Sequence, residues 1–358
     1  MKTSHTSTPS PPYMRRTLLH NSKVVSHSFT DDGFAVLVKP AYYELANEYE
    51  FLIGRLGGGL ADPECQDHVY LGGNPIVHLV KSSAYSAGQL YSEAVVSTTT
   101  SPLLAYMDLR GEDTEPNLFD FARHQLGHVD PLAYCSVGDS LWAVTQEHLL
   151  QWSLSHPFRD PQLFPFLQGT HFDDCTPEIK GAAANTSGII IGVECPLKSS
   201  VFLFDLDGNR QDYELFKSPI IKVFAEDKYF WVVTTGGVER FKVTHSNGLH
   251  LVSTFKSKLP CLCATAQKGV LYVGYGADED KSTLQLTAIE LNLPIGVEGV
   301  ESDYLKEIHK PQVPVKDLLD VHVNDGYAYF LYKDSTILGY PLEKPSSTKP
   351  QAPAVLEH

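Results

Sequence analysis

Ile220–Val243, IIKVFAEDKYFWVVTTGGVERFKV, is the stretch from which the fold can be read. Val223, Tyr229, Trp231, Val233, Val238 and Phe241 are β-branched or aromatic, the residue types that suit a pleated, half-buried surface. Thr235-Gly236-Gly237 separates two apolar runs and supplies a turn, so the stretch reads as two strands and a tight connection. The pattern recurs. Tyr134–Leu154, YCSVGDSLWAVTQEHLLQWSL, aligns LWAVTQ with FWVVTT and LLQWSL with VERFKV. Val321–Leu342, VHVNDGYAYFLYKDSTILGYPL, has the same polar lead-in, aromatic-rich strand, polar turn and second strand. Gly269–Leu291 and Gly188–Leu206 are looser copies.

The spacing turns a repeated hairpin into an architecture. Trp142, Ile190, Trp231, Tyr272 and Tyr329 occupy matching points, separated by 48, 41, 41 and 57 residues. A period of roughly 40–50 residues is that of propeller blades, four-stranded sheets that cannot bury both faces alone. Phe34–Val38 and Leu90–Leu109 extend the series to about seven units. The expected fold is all-β: a single β-propeller of about seven four-stranded blades over residues 23–343. A β-sandwich or two small β domains would also repeat hairpins, but the period here persists to the C-terminal end of the chain.

Composition narrows the function classes. The chain has 358 residues, 28 basic and 43 acidic, for a net charge of −15. An acidic surface repels phosphate backbones, so neither direct nucleic-acid binding nor binding to anionic membranes is expected. No apolar run approaches the length needed to cross a bilayer, so no membrane insertion is expected. The six cysteines are too sparse for a disulfide framework and read as thiols of a reducing compartment, cytoplasmic or nuclear. Residues 1–22 are rich in Ser, Thr and Pro without a signal-peptide core, and read as a disordered lead. Residues 344–358 read as a flexible tail ending in the remnant of an expression tag.

Two segments break the strand rhythm and carry the candidate binding residues. His156–Cys175, HPFRDPQLFPFLQGTHFDDC, contains three prolines, which argue against helix or central strand, together with Phe158, Phe164, Phe166 and Phe172. Such rings are too apolar for an idle solvent loop: they either plug a blade edge or dock a partner protein, with Phe164 and Phe166 the leading anchors. Gly111–Gln125 suggests a short capped helix presenting Phe119 and Phe121 as second candidates. Asn292–Pro314 is a further insert, with Ser302–His309 passing as a short amphipathic helix.

At the repeated hairpin the chain resembles the regulator-of-chromosome-condensation repeat family. Val137-Gly138-Asp139-Ser140 with Trp142-Ala143-Val144-Thr145 and Gln151-Trp152 is similar to that family's motif, as is Ala225-Glu226-Asp227 with Trp231-Val232-Val233-Thr234 and Arg240-Phe241. Gly54–Glu64 resembles the glycine-rich segment that follows it. The WD-repeat family is the second resemblance, through Gly127-His128 and Trp152-Ser153-Leu154. Membership of the first family would imply a seven-bladed propeller that acts as an exchange factor for a small GTPase, or as an adaptor in tRNA-modification and diphthamide pathways. The adaptor type is favoured, because no basic tail accompanies the repeats.

The catalytic and metal signatures in the chain are incomplete. His124 and His128 are four apart but lack a neighbouring catalytic Glu, and Gly127 weakens the helix they need. Cys261-Leu262-Cys263 is expected to present its thiols to opposite faces of a strand, which disfavours chelation. Asp205–Gln211 begins like a calcium loop but has Arg210 where glycine is required, and reads as a hairpin turn. Asn185-Thr186-Ser187 matches a glycosylation acceptor. His128, Asp139, His171, Asp227, Asp278 and Asp325 fall at blade-end loops where they could converge. The expectation is a non-enzymatic adaptor that binds one or more proteins, with no cofactor and no metal. The alternative is a metal-dependent lactonase or hydrolase with its site in a central channel.

Overall fold

The computed structural model describes residues 14–30, 33–43, 47–57, 60–71, 75–81, 92–96, 103–107, 117–120, 131–154, 156, 159–167, 176–196, 198–244, 246, 248–256, 259–276, 283–290 and 313–342. Every regular element in it is a β-strand, and among the described residues no helix is long and apolar enough to cross a membrane. The chain opens with β1 (Met14–Thr17). Sheet 1 follows as β2 (Ser22–Phe29), β3 (Gly33–Pro40), β4 (Glu48–Gly57) and β5 (Leu60–Tyr70). Sheet 2 is β6 (Val77–Lys81), β7 (Ser92–Val96), β8 (Leu103–Met107) and β9 (Asn117–Asp120). Sheet 3 is β10 (Ala133–Val137), β11 (Ser140–Val144), β12 (His148–Ser153) and β13 (Gln162–Pro165). Sheet 4 is β14 (Glu178–Asn185), β15 (Gly188–Cys195), β16 (Lys198–Phe204) and β17 (Arg210–Phe216). Sheet 5 is β18 (Ile220–Glu226), β19 (Tyr229–Thr234), β20 (Gly237–Val243) and β21 (Leu249–Lys256). Sheet 6 is β22 (Cys261–Gln267), β23 (Val270–Gly276), β24 (Thr283–Glu290) and β25 (Val313–Pro314). Sheet 7 is β26 (Leu318–Asn324), β27 (Tyr327–Tyr332) and β28 (Thr336–Pro341), with β1 as its outer strand.

Local turn chemistry explains why these strands pair in chain order. Sheets 3 to 7 each join their first two strands through two residues: Gly138-Asp139, Thr186-Ser187, Asp227-Lys228, Lys268-Gly269 and Asp325-Gly326. In four of these the first turn residue has positive φ, from 47° at Asp325 to 55° at Gly138, as two-residue hairpins require. Trp142, Ile190, Trp231, Tyr272 and Tyr329 each stand two residues into the second strand, so the matching points read from the sequence are structurally equivalent. Ile220–Val243 is nonetheless three strands, β18 to β20. Its polar Glu226-Asp227-Lys228 is a connection in its own right, with Glu226 paired to Tyr229 across it.

Packing closes the sheets into a ring, as apolar faces of neighbouring sheets meet. Among the described residues, seven buried clusters line these junctions. One joins sheets 1 and 2 through Leu37, Phe51, Val77 and Leu79. Others join sheets 3 and 4 (Trp142, Val144, Phe202, Phe204), 4 and 5 (Ile190, Leu203, Phe230, Val232), and 5 and 6 (Trp231, Val233, Leu271, Val273). Sheets 6 and 7 share Leu284, Leu286, Phe330 and Tyr340, and Ile76 packs on the sheet 3 cluster of Tyr134, Leu141 and Trp152. The last junction brings Phe34 and Val36 of sheet 1 against Tyr329, Leu331 and Ile337 of sheet 7. The first strands β2, β6, β10, β14, β18, β22 and β26 pack in succession along the inner side of this ring. The protein is a β-propeller.

Three expectations shift. The ordered region starts before residue 23: Met14–Thr17 pairs with Thr336–Gly339, so strands from both chain ends complete one sheet. Leu18 N donates to Ser335 O at 3.0 Å, and Ser22 Oγ donates to Ser335 Oγ at 2.9 Å, tying the same seam. In 111–125, Asn117–Asp120 is an edge strand on β8 rather than helix. Gln162–Pro165 is likewise a strand, tolerated with a proline because it is the outermost of its sheet. Residues 1–13, 302–309 and 343–358 lie outside the described residues.

Candidate functional site

The inner strands share a device. In β2, β14, β18, β22 and β26 the pairing with the second strand skips one residue: Val25, Lys180, Ile221, Leu262 and Leu319. A bulge of this kind bends the strand and re-aims the side chain that follows. The following residues are Ser26, Gly181, Lys222, Cys263 and Asp320, at one equivalent level of the ring.

Two of these side chains meet. Lys222 Nζ of sheet 5 reaches past sheet 6 to both carboxylate oxygens of Asp320 in sheet 7, at 2.8 and 2.7 Å. His27 Nε2 of sheet 1 lies 3.2 Å from Asp320 Oδ2, and Val321 N donates to Asp320 Oδ1 at 2.9 Å. Asp320 is buried. Burial pushes its carboxyl pKa up, but the Lys222 ammonium and the His27 contact outweigh that and hold it well below the usual carboxylate range. Around this cluster, Phe29 stacks on His322 at 5.2 Å and meets His27 edge-on at 5.8 Å, while Lys222 Nζ sits 6.0 Å from the Phe224 ring. One cation, one carboxylate and one imidazole from three sheets therefore meet on the inner side of the ring. Their chemistry is mutual: the carboxylate spends its acceptors on its neighbours, so the cluster works first as a clasp across sheets 5, 7 and 1.

At Phe166 the Pro-rich insert takes one of the two roles its composition allows, that of a plug. Phe166 is 1 % exposed and packs on Phe202 and Phe204, with ring centroids 6.3 and 5.9 Å apart. It is a plug between sheets 3 and 4, and a ring with no exposed surface cannot anchor a partner. Phe164 is half-buried, 5.5 Å from Trp142, and its ring covers Gly208 so closely that any Cβ there would overlap it. Phe119 occupies a position in edge strand β9 opposite Leu104. Phe158, Phe172 and Phe121 lie outside the described residues, as do His124, His128, His171 and Asp278. Asp139, Asp227 and Asp325 sit in first-turn connections of sheets 3, 5 and 7.

Exposed apolar surface gathers on outer strands. Leu163 on β13, Tyr213 and Leu215 on β17, and Leu251 and Val252 on β21 are 36–56 % exposed, and belong to three successive sheets. β17 and β21 meet where Leu249 N donates to Asp212 Oδ2 at 2.7 Å, while Tyr213 and Leu215 stand on the opposite face of β17, where the Tyr213 ring lies 6.2 Å from Phe202. The sequence hinted at this edge: YEL and LHLV place apolar side chains beside polar ones in strands lacking the continuous apolar runs of β15 or β19.

The cysteines are split. Cys195 is disulfide-bonded, against the expectation of thiols throughout. Cys135, Cys261 and Cys263 are buried thiols, and burial pushes the Cys135 and Cys263 pKa values far up. Cys261 and Cys263 do face opposite sides, in the clusters shared with sheet 5 and with sheet 7. The reason is the bulge at Leu262, since plain alternation would put residues two apart on one face. Asn185 is buried, and its Oδ1 accepts from Ser187 N at 2.8 Å, so the glycosylation-like triplet is spent on a turn. Asp205 likewise closes its hairpin, accepting from Asp207 N and Asn209 N at 3.0 and 2.8 Å. Among the described residues no three His, Cys, Asp or Glu side chains are grouped to hold a metal ion.

No family matches this chain, and no curated protein does. Solved structures do. A catalytically inactive virginiamycin B lyase from Staphylococcus aureus with quinupristin superposes with a TM-score of 0.55 at 10 % identity, over 91 % of this chain and 97 % of that one. Selenomethionine-substituted virginiamycin B lyase from the same organism gives 0.54 at 10 % identity, with the same coverage. At such identity the likeness is one of fold.

Proposed function

We propose that this propeller is a non-enzymatic interaction platform, an adaptor subunit whose partner docks on the outer edges of sheets 4 and 5. The observation that carries the reading is the set of exposed apolar side chains on the outer strands of neighbouring sheets: Tyr213 and Leu215 on β17, Leu251 and Val252 on β21. A monomer gains nothing by leaving such side chains wet, whereas partner proteins bury surfaces of this kind. The resemblance of the hairpins to regulator-of-chromosome-condensation repeats supports an intracellular adaptor, and exchange on a small GTPase is its narrower variant. Affinity capture from the protein's own cells, run with wild type and Leu215→Ser/Leu251→Ser, tests it. A stoichiometric partner lost from the variant at unchanged thermal stability supports the platform; retention of that partner by both, or no partner, removes it.

The rival reading is chemistry in the channel, favoured by the meeting of Lys222, Asp320 and His27 from three sheets. Propeller enzymes of the lactonase or hydrolase kind assemble their groups in this way. Lactone hydrolysis by the purified protein, supplied with divalent ions and lost in Lys222→Met, would replace the platform with an enzyme.

A further inference from the structure

On the side of sheet 5 that faces sheet 6, the charge runs against that of the chain as a whole. Tyr229, Lys242 and His250 are cross-strand partners on β19, β20 and β21, and Trp231, Arg240 and Ser253 form the next row. Alternation puts both rows on the face that buries Trp231, Val233 and Val238 against sheet 6, and the skipped Val252 keeps His250 in step. Lys228 Nζ lies 5.5 Å and Arg240 Cζ 4.5 Å from the centre of the Tyr229 ring, and Arg240 Cζ is 5.4 Å from that of Trp231. Lys228, Lys242 and His250 are exposed, whereas Tyr229 and Arg240 are half-buried. The first turn of sheet 6 adds exposed Lys268, next to Gly269, whose N donates to Glu226 Oε1 at 3.2 Å.

These cations are short of counter-charge. Among the described residues none of Lys228, Arg240 and Lys242 takes part in an ion pair, and Arg240 Nε has no hydrogen-bond partner. Burial pulls the Arg240 pKa down, with Tyr229 and Glu226 opposing, and an arriving anion relieves that penalty. The acidic residues at this end of sheet 5 are Glu226 and Asp227, fewer than the cations beside them. In a chain of net charge −15 the excess is local, so an acidic partner is repelled by the surface at large and held in one place. From Tyr229 to His250 the patch crosses three strands, about 10 Å. That width exceeds one carboxylate and suits several on an extended segment.

Resting on the platform reading, we infer that the sheet 6 side of β19–β21 receives an acidic segment of the partner protein, its Asp or Glu carboxylates taken by Arg240, Lys242 and Lys228. Arg240, braced on the Tyr229 and Trp231 rings, supplies a planar fork of donors at the centre, and the lysines supply mobile charges around it.

The test is fluorescence anisotropy on the purified full chain with labelled 12-residue Glu/Ser, Gln/Ser and Lys/Ser peptides and a 12-nucleotide oligothymidylate. The expected result is saturable 1:1 binding of Glu/Ser alone, weakened about tenfold or more in Lys228→Ser/Lys242→Ser and in Arg240→Gln. Binding should be unchanged in Lys198→Ser/Lys217→Ser, which removes the same two charges from exposed positions outside the patch. Thermal melts report folding, and where Arg240→Gln fails to fold the lysine variant decides. No binding of Glu/Ser, indifference to Lys228→Ser/Lys242→Ser, or an equal loss in Lys198→Ser/Lys217→Ser overturns the acidic partner. Tighter binding of the oligothymidylate at the same residues assigns the patch to a nucleic acid and also overturns it. Failure here with a captured cellular partner still lost from Leu215→Ser/Leu251→Ser leaves the platform standing; failure of both removes both.

Discussion

Lys222 and Asp320 are 98 residues apart in sequence, and Lys222 Nζ lies 2.7 and 2.8 Å from the two oxygens of the Asp320 carboxylate. Neither strand could be assigned that partner locally, because the contact passes over sheet 6. Removing the carboxylate strands an ammonium and frees the His27 contact. Asp320→Ala should cost about 2–3 kcal/mol, and Lys222→Met at least as much, because it leaves the more deeply buried carboxylate without its cation. Urea unfolding of both variants checks the order.

The same pair sets a pH dependence. The folded Asp320 pKa lies below its unfolded value, so its stabilisation is fully present above about pH 4 and is lost as pH falls through the folded pKa. The stability gap between wild type and Asp320→Asn should be widest near neutrality and shrink below pH 4. A gap that widens on acidification would mean that the carboxylate is not held ionised.

Phe166 and Leu163 stand three residues apart in the insert and should respond in opposite ways. Phe166→Ala empties a site between sheets 3 and 4 and should cost about 3–5 kcal/mol. Leu163→Ser, at a side chain 56 % exposed, should change stability by less than about 0.5 kcal/mol. Thermal melts of the two variants decide which ring or chain belongs to the core.

Gly237 opens β20 with φ of 153°, and a Cβ there would overlap the Phe255 carbonyl oxygen of the adjoining strand. Backbone cannot move aside as a flexible side chain would. Gly237→Ala should therefore destabilise by about 2 kcal/mol, read as a lowered urea midpoint.

The disulfide at Cys195 predicts a thiol count. With one bonded pair, 6 − 2 = 4 thiols should titrate in denatured, unreduced protein, and six after reduction. In the native state Cys135 and Cys263 should react slowly, since burial keeps them protonated.

Much of this fold is legible in the chain because its signals are short-range. Trp142, Trp231 and Tyr329 mark equivalent positions since a strand two residues past a tight turn presents its side chain in the same way each time. Glu226-Asp227-Lys228 was hidden as a connection because its turn uses no glycine, although Asp227 adopts φ of 52°. Phe164 and Phe166 looked like docking anchors because composition reports apolarity and not what covers it; β16 and the Gly208 turn do the covering. The inner cluster left a faint mark, a charge after two aliphatic residues in Ile220-Ile221-Lys222 and again in Leu318-Leu319-Asp320.

Alternation with period two and turn chemistry act over a few residues, and so the amino-acid sequence by itself determined the strands, their hairpins and their propeller repeat. Which side chains meet across the ring, which rings are sealed between sheets and which edges stay wet depended on closing seven sheets on themselves with β1 beside β28. Only that closure brings Lys222, Asp320 and His27 from three sheets to one point, and no local pattern encodes a distance between them.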